Sequence, residues 1–171
     1  MTTIRTPRLV LETLTSDEAA AIRGGDRTGR SWADDYPTDG DAVVAGVIGE
    51  AGEHYDERTD LGVLQARLRS SRVAVGGIGF LWAPSPEGEV EVGYGFAESV
   101  QGQGLATEAL RAVISHARDR GVRTVMALTD PDNRASQRVL EHCDFERDVE
   151  LQVTDEGPML RWTLDLQRIE D

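Results

Sequence analysis

One stretch constrains the fold more than any other. Val90-Glu-Val-Gly-Tyr-Gly-Phe96 alternates with a period of two, and Gln101-Gly-Gln-Gly-Leu-Ala106 follows shortly after it. Beyond that loop, Leu105, Ala109, Leu110, Val113 and Ala117 recur at helical spacing until Gly121. A strand that feeds through a glycine-rich loop into an amphipathic helix predicts a mixed α/β domain. Such a loop turns backbone N–H groups outward at the positive end of a helix dipole, which suits an anion. Gly102 and Gly104 keep side chains out of the way, and Ala106 keeps the first turn clear. Taken alone, the two glycines also fit a plain tight turn. The dinucleotide fingerprint fits poorly, because Gly102-x-Gly104-x-x-Thr107 lacks its last small residue and the preceding strands read as antiparallel.

The rest of the chain fits one domain over residues 1–171. Arg8–Leu14 reads as a strand, Ser16–Ile22 as a helix stopped by Gly24-Gly25, and Asp39–Gly49 as a second helix. Leu61–Leu68 and Arg72–Leu81 read as strands around a Ser70-Ser71 turn, and Val90–Phe96 continues the series with antiparallel pairing. Leu105–Arg120 is the clearest helix. Thr124–Leu128 is a strand, Asn133–His142 a short helix, and Phe145–Val153 with Met159–Leu166 a final hairpin. No apolar run approaches the ~18 residues of a membrane span, and Met1-Thr-Thr-Ile-Arg5 lacks a signal-peptide apolar region. Cys143 stands alone, so neither a disulfide nor a metal site is expected. A soluble, cytoplasmic protein is the expectation.

Charge narrows the function classes. All 18 basic residues are arginine, so a Walker-A lysine and a Schiff-base lysine are both excluded. A net charge of −13 repels a phosphate backbone, and neither nucleic acid nor membrane is an expected partner. The acidity is uneven: residues 12–60 hold thirteen Asp/Glu against four Arg, a net of −9.

Gln101-x-x-Gly104-x-Ala106, placed after a strand and at a helix start, resembles the acyl-CoA pyrophosphate loop of the GNAT superfamily of N-acyltransferases. Asn133-Arg-Ala-Ser136-Gln-Arg-Val-Leu140-Glu-His-Cys-Asp-Phe145 resembles the family's Asn-x-x-Ser helix running into a Gly-Phe pair. Arg5-Thr-Pro-Arg-Leu-Val-Leu11 and Glu91-Val-Gly-Tyr94 resemble the Rim-type branch, which includes N-terminal alanine acetyltransferases of ribosomal proteins. Gln101 replaces the commoner Arg, and Asp144 replaces the usual Gly at a position expected to be left-handed. The implied fold is a twisted, mostly antiparallel mixed sheet with helices on both faces, its central strands splayed to admit acyl-CoA.

The implied reaction is acetyl transfer from acetyl-CoA to a primary amine, directly within a ternary complex, with a protein N-terminus as one acceptor. Acetylation of a small-molecule or aminoglycoside-like amine is the alternative within enzymes; a non-catalytic acyl-CoA sensor is the alternative outside them. Holding a lysine amine neutral at pH 7 takes about 4.6 kcal/mol, against about 1.4 for an α-amine. Glu91 is the candidate base, on one strand face with Gly93 and Gly95, Val90 and Val92 lying opposite. A plain solvent-facing carboxylate beside Glu87 and Glu89 is the other reading. Ser136 is the candidate acid toward the CoA sulfur, with Tyr94 its rival on the opposite strand face. Asn133 is expected near the pantetheine, or as a simple helix cap.

The backbone of Phe96 and Ala97 is expected to hold the thioester carbonyl, and Gln101, Gly102, Gln103, Gly104, Leu105 and Ala106 the pyrophosphate. Trp32 and Tyr36, beside Asp34, Asp35, Asp39 and Asp41, are candidates for an acceptor rim that would favour a cationic amine or basic peptide. His54, His116 and His142 read as structural or exposed, and Cys143 as a small core residue. A homodimer is compatible with the resemblance.

Overall fold

The computed structural model describes residues 1–54, 56–80, 82–155 and 157–168. The strands are β1 (Thr3–Arg5), β2 (Leu9–Thr13), β3 (Val63–Leu68), β4 (Ala74–Phe80), β5 (Glu89–Phe96), β6 (Thr124–Thr129), β7 (Glu146–Thr154) and β8 (Gly157–Asp165). The helices are α1 (Ser16–Gly24), α2 (Asp39–Ala51), α3 (Leu105–Arg118) and α4 (Arg134–Glu141). Among the described residues the strands form one sheet in the order β1-β2-β3-β4-β5-β6-β8-β7. All neighbours are antiparallel except β5 and β6.

Two apolar clusters lie on the two faces. Leu64, Ile78, Val90, Val92 and Phe96 from the sheet pack with Leu105, Leu110 and Val113 of α3 and Leu140 of α4. On the other face, Val63 and Ala74 join Ala19 and Ile22 of α1, Ala45 and Ile48 of α2, and Trp32 with Tyr36. Burying a side chain such as Leu110, fully inaccessible here, contributes roughly 1.5–3 kcal/mol.

Local chemistry explains the helix ends. Thr15 accepts from the Glu18 N–H at 3.1 Å, and Gly25 closes α1 at φ 65°. Thr38 and Asp41 form a reciprocal capping box at the start of α2. Arginine ion pairs then tie α1 to the sheet and β2 to the β3–β4 turn: Glu18 meets Arg67 of β3 at 3.3 Å and also Arg30 at 2.9 Å, and Glu12 meets Arg72 at 2.8 Å.

Several boundaries move from their sequence expectation. The strand expected over Arg72–Leu81 begins at Ala74, because Arg72 adopts φ 62° and its N–H bonds the Leu68 carbonyl at 2.8 Å in a tight turn. Leu81 lies outside the described residues. The short β1 was not expected; it is held by pairing with β2. Asp144 is left-handed, at φ 62°, as expected of the residue before Phe145.

Asp41 departs further, since it is a buried capping residue and not a rim charge. Burial pushes its carboxyl above the ordinary 3.8, against hydrogen bonds from Thr38 that favour the charged form. A carboxyl raised in the folded state contributes stability that is fully present below its unfolded pKa and is lost as pH rises through the folded one. Asp41→Asn keeps the acceptor for Thr38. The variant is expected to melt above the wild type at pH 7 and to lose that advantage by about pH 4. A melting difference of the same size at both pH values would contradict this account of Asp41.

Candidate active site

The site begins where the sheet opens. β5 pairs with β6 only through Glu89–Thr124, Val90–Val125 and Glu91–Met126, whereas β6 stays paired with β8 through Thr129. Beyond Glu91 the two strands diverge. The Ala97 N–H donates to the Val75 carbonyl at 2.8 Å, so antiparallel alternation turns the N–H and C=O of Val92, Tyr94 and Phe96 away from β4, toward the opening. Phe96 therefore remains a candidate donor. Ala97 does not, because β4 takes its N–H.

A cavity of about 540 Å³ fills the opening, lined by Tyr94–Phe96, by Val100–Gly102 and Gly104–Thr107, and by one side of α4; Gln103, expected with them, does not line it. The loop is shaped by glycine at two positions: Gly102 and Gly104 adopt φ 72° and 75°, where other residues are strained. Gly104 is the N-cap of α3 and offers no side chain, so no side chain caps that helix. The first-turn N–H groups are left for a ligand. Gln101 braces the loop by donating from Nε2 to the Phe96 carbonyl at 3.0 Å.

A clamp from the N-terminal segment holds the loop's outer side. Arg8 donates from Nη1 to the Gln103 carbonyl at 2.7 Å and from Nε to Glu108 at 2.6 Å. Glu108 also accepts from the Thr6 hydroxyl at 2.6 Å and the Arg8 N–H at 2.8 Å. Asp35 braces the other side, accepting from the Ser99 N–H at 2.7 Å and hydroxyl at 2.8 Å. These bonds hold the Asp35 carboxyl below the usual range.

Tyr94 and Ser136 meet across the opening. Their hydroxyl oxygens are 2.9 Å apart, and the Tyr94 hydroxyl also lies 3.2 Å from the Ser136 carbonyl. Burial pushes the Tyr94 phenol up to about 12, with the Ser136 hydrogen bond opposing. The phenol is protonated at neutral pH and can pass a proton to the serine. Asn133 caps α4, accepting from the Ser136 N–H at 3.0 Å, and it lines the cavity as well.

Glu91 lies on the other face of β5. Val90, Val92 and Phe96 are buried against the α3 cluster, while Glu91 and Gly93 are exposed. Gly95 and its partner Gly77 lie under α2: a Cβ on Gly95 would come 3.0 Å from the Thr38 hydroxyl, and one on Gly77 would meet Asp41. Over Gly93 nothing lies within 4 Å of where a Cβ would stand. A small molecule can therefore approach the main chain beside Glu91. Desolvation, then the charge of Glu89, pushes the Glu91 carboxyl above the ordinary 4.5.

The aromatic rim expected from Trp32 and Tyr36 is replaced by a core. They are 7% and 1% exposed and meet edge to face, with centroids 5.4 Å apart. The Tyr36 hydroxyl accepts from Gln65 at 3.0 Å. Asp34 and Asp39 stay exposed. His116 is 2.7 Å from the Asp60 carbonyl and His54 is 3.3 Å from that of Ala51, both away from the cavity. Cys143 is buried, its thiol pushed up to about 11 by that burial. His142, however, lines the cavity, with Arg138 and Val139. Spacing carried the signal for two of them: Val139 lies three residues after Ser136 and His142 three after Val139, and residues three to four apart share a helix face.

Residues 8–146 match the acetyltransferase (GNAT) domain, and the chain belongs to that family. A mycothiol acetyltransferase of Thermomonospora curvata is 33% identical over 134 residues, 77% of this chain and 41% of that protein. The chain spans less than half the length of the curated relatives it matches. Mycobacterium smegmatis RimJ, solved in complex with CoA-disulfide, has the same fold at a TM-score of 0.66 and 20% identity, covering 99% of this chain and 88% of that one. An acetyltransferase from Agrobacterium tumefaciens superposes at 0.66 with 24% identity, covering 96% and 94%. Both solved structures share the fold of this chain.

Proposed function

We propose that the protein transfers an acetyl group from acetyl-CoA to a primary amine in one direct step. The observation that carries this reading is the unpaired edge of β5, which runs into the uncapped N-terminus of α3 with Tyr94 and Ser136 beside it. Bound acetyl-CoA would supply the acetyl group as an activated thioester. The turned-out groups of Val92 and Tyr94 suit the pantetheine amides, and the N–H groups from Gly102 to Ala106 suit the pyrophosphate. The RimJ neighbour, which holds a CoA-disulfide, supports a CoA ligand here.

In this reading Glu91 takes a proton from the attacking amine, directly or through water. The Phe96 N–H steadies the carbonyl oxygen as the N–C bond forms. The Tyr94–Ser136 pair would give its proton to the CoA sulfur as the C–S bond breaks, so that CoA would leave as the thiol. The amine thus arrives on the face opposite the hydroxyl pair. A cytoplasmic setting suits this chemistry.

A cationic acceptor fits the net −9 of residues 12–60. With a working acceptor, kcat/KM is expected to fall as salt rises while kcat stays level, because exposed charges such as Asp34 and Asp39 are screened beyond a ~10 Å Debye length at about 0.1 M. An acceptor turned over equally at low and high salt removes the steering role.

Gly104→Val is expected to weaken acetyl-CoA binding by about five- to thirtyfold, since a β-branched residue in the left-handed region costs about 1–2 kcal/mol and the loop has to hold that conformation to present its N–H groups. Calorimetry on a variant whose circular dichroism matches the wild type measures this; normal binding would sink the cradle. The test of the whole reading is acetyl-CoA turnover over a panel of peptide N-termini, small amines and aminoglycosides. Binding without turnover of any acceptor would leave the non-catalytic sensor in its place.

A further inference from the structure

We propose that a second groove, bordered by Arg5, Arg8 and Arg111, binds the ribose 3′-phosphate of CoA and selects CoA over its 3′-dephospho form. The inference rests on the acetyl-CoA reading above and deepens it. The groove measures about 650 Å³ and shares Gly104, Thr107 and His142 with the cofactor cavity. A ligand that leaves the α3 N-terminus on its outer side therefore passes straight into it.

Charge sets this groove apart from the rest of a −13 chain. Three arginines border it against one carboxylate, Glu108. That carboxylate is already engaged by the Thr6 hydroxyl, the Arg8 N–H and the Arg8 guanidinium. Arg5 and Arg111 form no ion pair among the described residues. Arg111 is held in place by donating from Nη2 to the His142 carbonyl at 2.7 Å, which leaves further guanidinium donors free. Arg138 lines the adjoining cavity on the other side of His142 and is likewise unpaired among the described residues.

A phosphomonoester carries about −1.5 to −2 charges at pH 7 and three acceptor oxygens, which suits two guanidinium forks. The pyrophosphate is diesterified and already provided for by backbone N–H groups. The 3′-phosphate is the one monoester of CoA, and it requires side chains of this kind.

The test compares CoA with 3′-dephospho-CoA by calorimetry on the wild type, Arg5→Met, Arg111→Met and the double variant. CoA is expected to bind the wild type about ten- to hundredfold more tightly, as for charged hydrogen bonds to one phosphate. In the double variant that ratio is expected to fall toward one. Equal wild-type affinities, both measurable, would overturn the subsite and leave the acetyl-CoA reading standing. Failure of both ligands to bind would instead remove the reading beneath it. A ratio that persists in the folded double variant would overturn the assignment to these arginines. Arg5 makes no side-chain hydrogen bond among the described residues, so Arg5→Met keeps the test alive if the Arg111 variants do not fold.

Discussion

Glu91→Gln is expected to lower kcat by about 10²- to 10⁴-fold, the usual contribution of a positioned base, while acetyl-CoA affinity stays near that of the wild type. The separation follows from the two faces of β5: Glu91 is exposed on the α2 side, and the cavity opens on the α4 side. The pH profile carries the more specific signature. A base must be unprotonated, and desolvation with the nearby Glu89 holds this carboxyl above 4.5. The acid limb of kcat/KM in the wild type should therefore lie above pH 4.5 and disappear in Glu91→Gln. Activity of the variant should recover in part at high pH, as the amine loses its own proton. Arg161 is 2.9 Å from Glu89 and offsets its charge, so Arg161→Met should move the wild-type limb upward. An unchanged rate with a good acceptor would leave Glu91 as a surface carboxylate.

The second large effect concerns the leaving sulfur. Ser136→Ala is expected to lower kcat by about 10- to 10³-fold, a range extended downward from the usual acid contribution because water can substitute. Tyr94→Phe removes the hydroxyl that lies 2.9 Å from Ser136 Oγ. If the two act as one donor, the double variant should be little slower than the slower single one, since groups that act as a unit are not additive. Multiplicative losses would mean separate roles. Losses in KM alone would place both hydroxyls in binding and not in proton transfer.

What the sequence revealed followed the range of the interactions involved. The β5–loop–α3 unit was legible because alternation, two glycines and a helical apolar repeat are all local. The left-handed Asp144 was legible for the same reason. Strand period alone placed Val90 and Val92 opposite Glu91, and the buried strand face agrees. The Tyr94–Ser136 contact was not legible, since 42 residues separate the partners and only the folded sheet brings them together. The clamp between Arg8 and Glu108, 100 residues apart, was hidden likewise. Ala97 lost its expected role through one ladder bond to Val75, which no sequence pattern records. Trp32 and Tyr36 misled because aromatics beside four aspartates read equally as a polar rim or as a core margin. Burial decided it, and Asp41 went inside with them.

The arginine pairs that tie α1 to the sheet have a chemical consequence for a protein proposed to handle an activated thioester. A surface of lysines beside such a reagent would be a set of competing nucleophiles, and each acylated ammonium would lose its charge and its partner. Among the described residues every ion pair uses a guanidinium, from Arg8–Glu108 to Arg67–Glu18, and the 171 residues contain no ε-amine at all. A guanidinium stays protonated at any physiological pH and offers no lone pair for attack. The scaffold around the site is thereby inert to its own chemistry: side-chain amine acylation, enzymatic or spontaneous, finds nothing in it to modify.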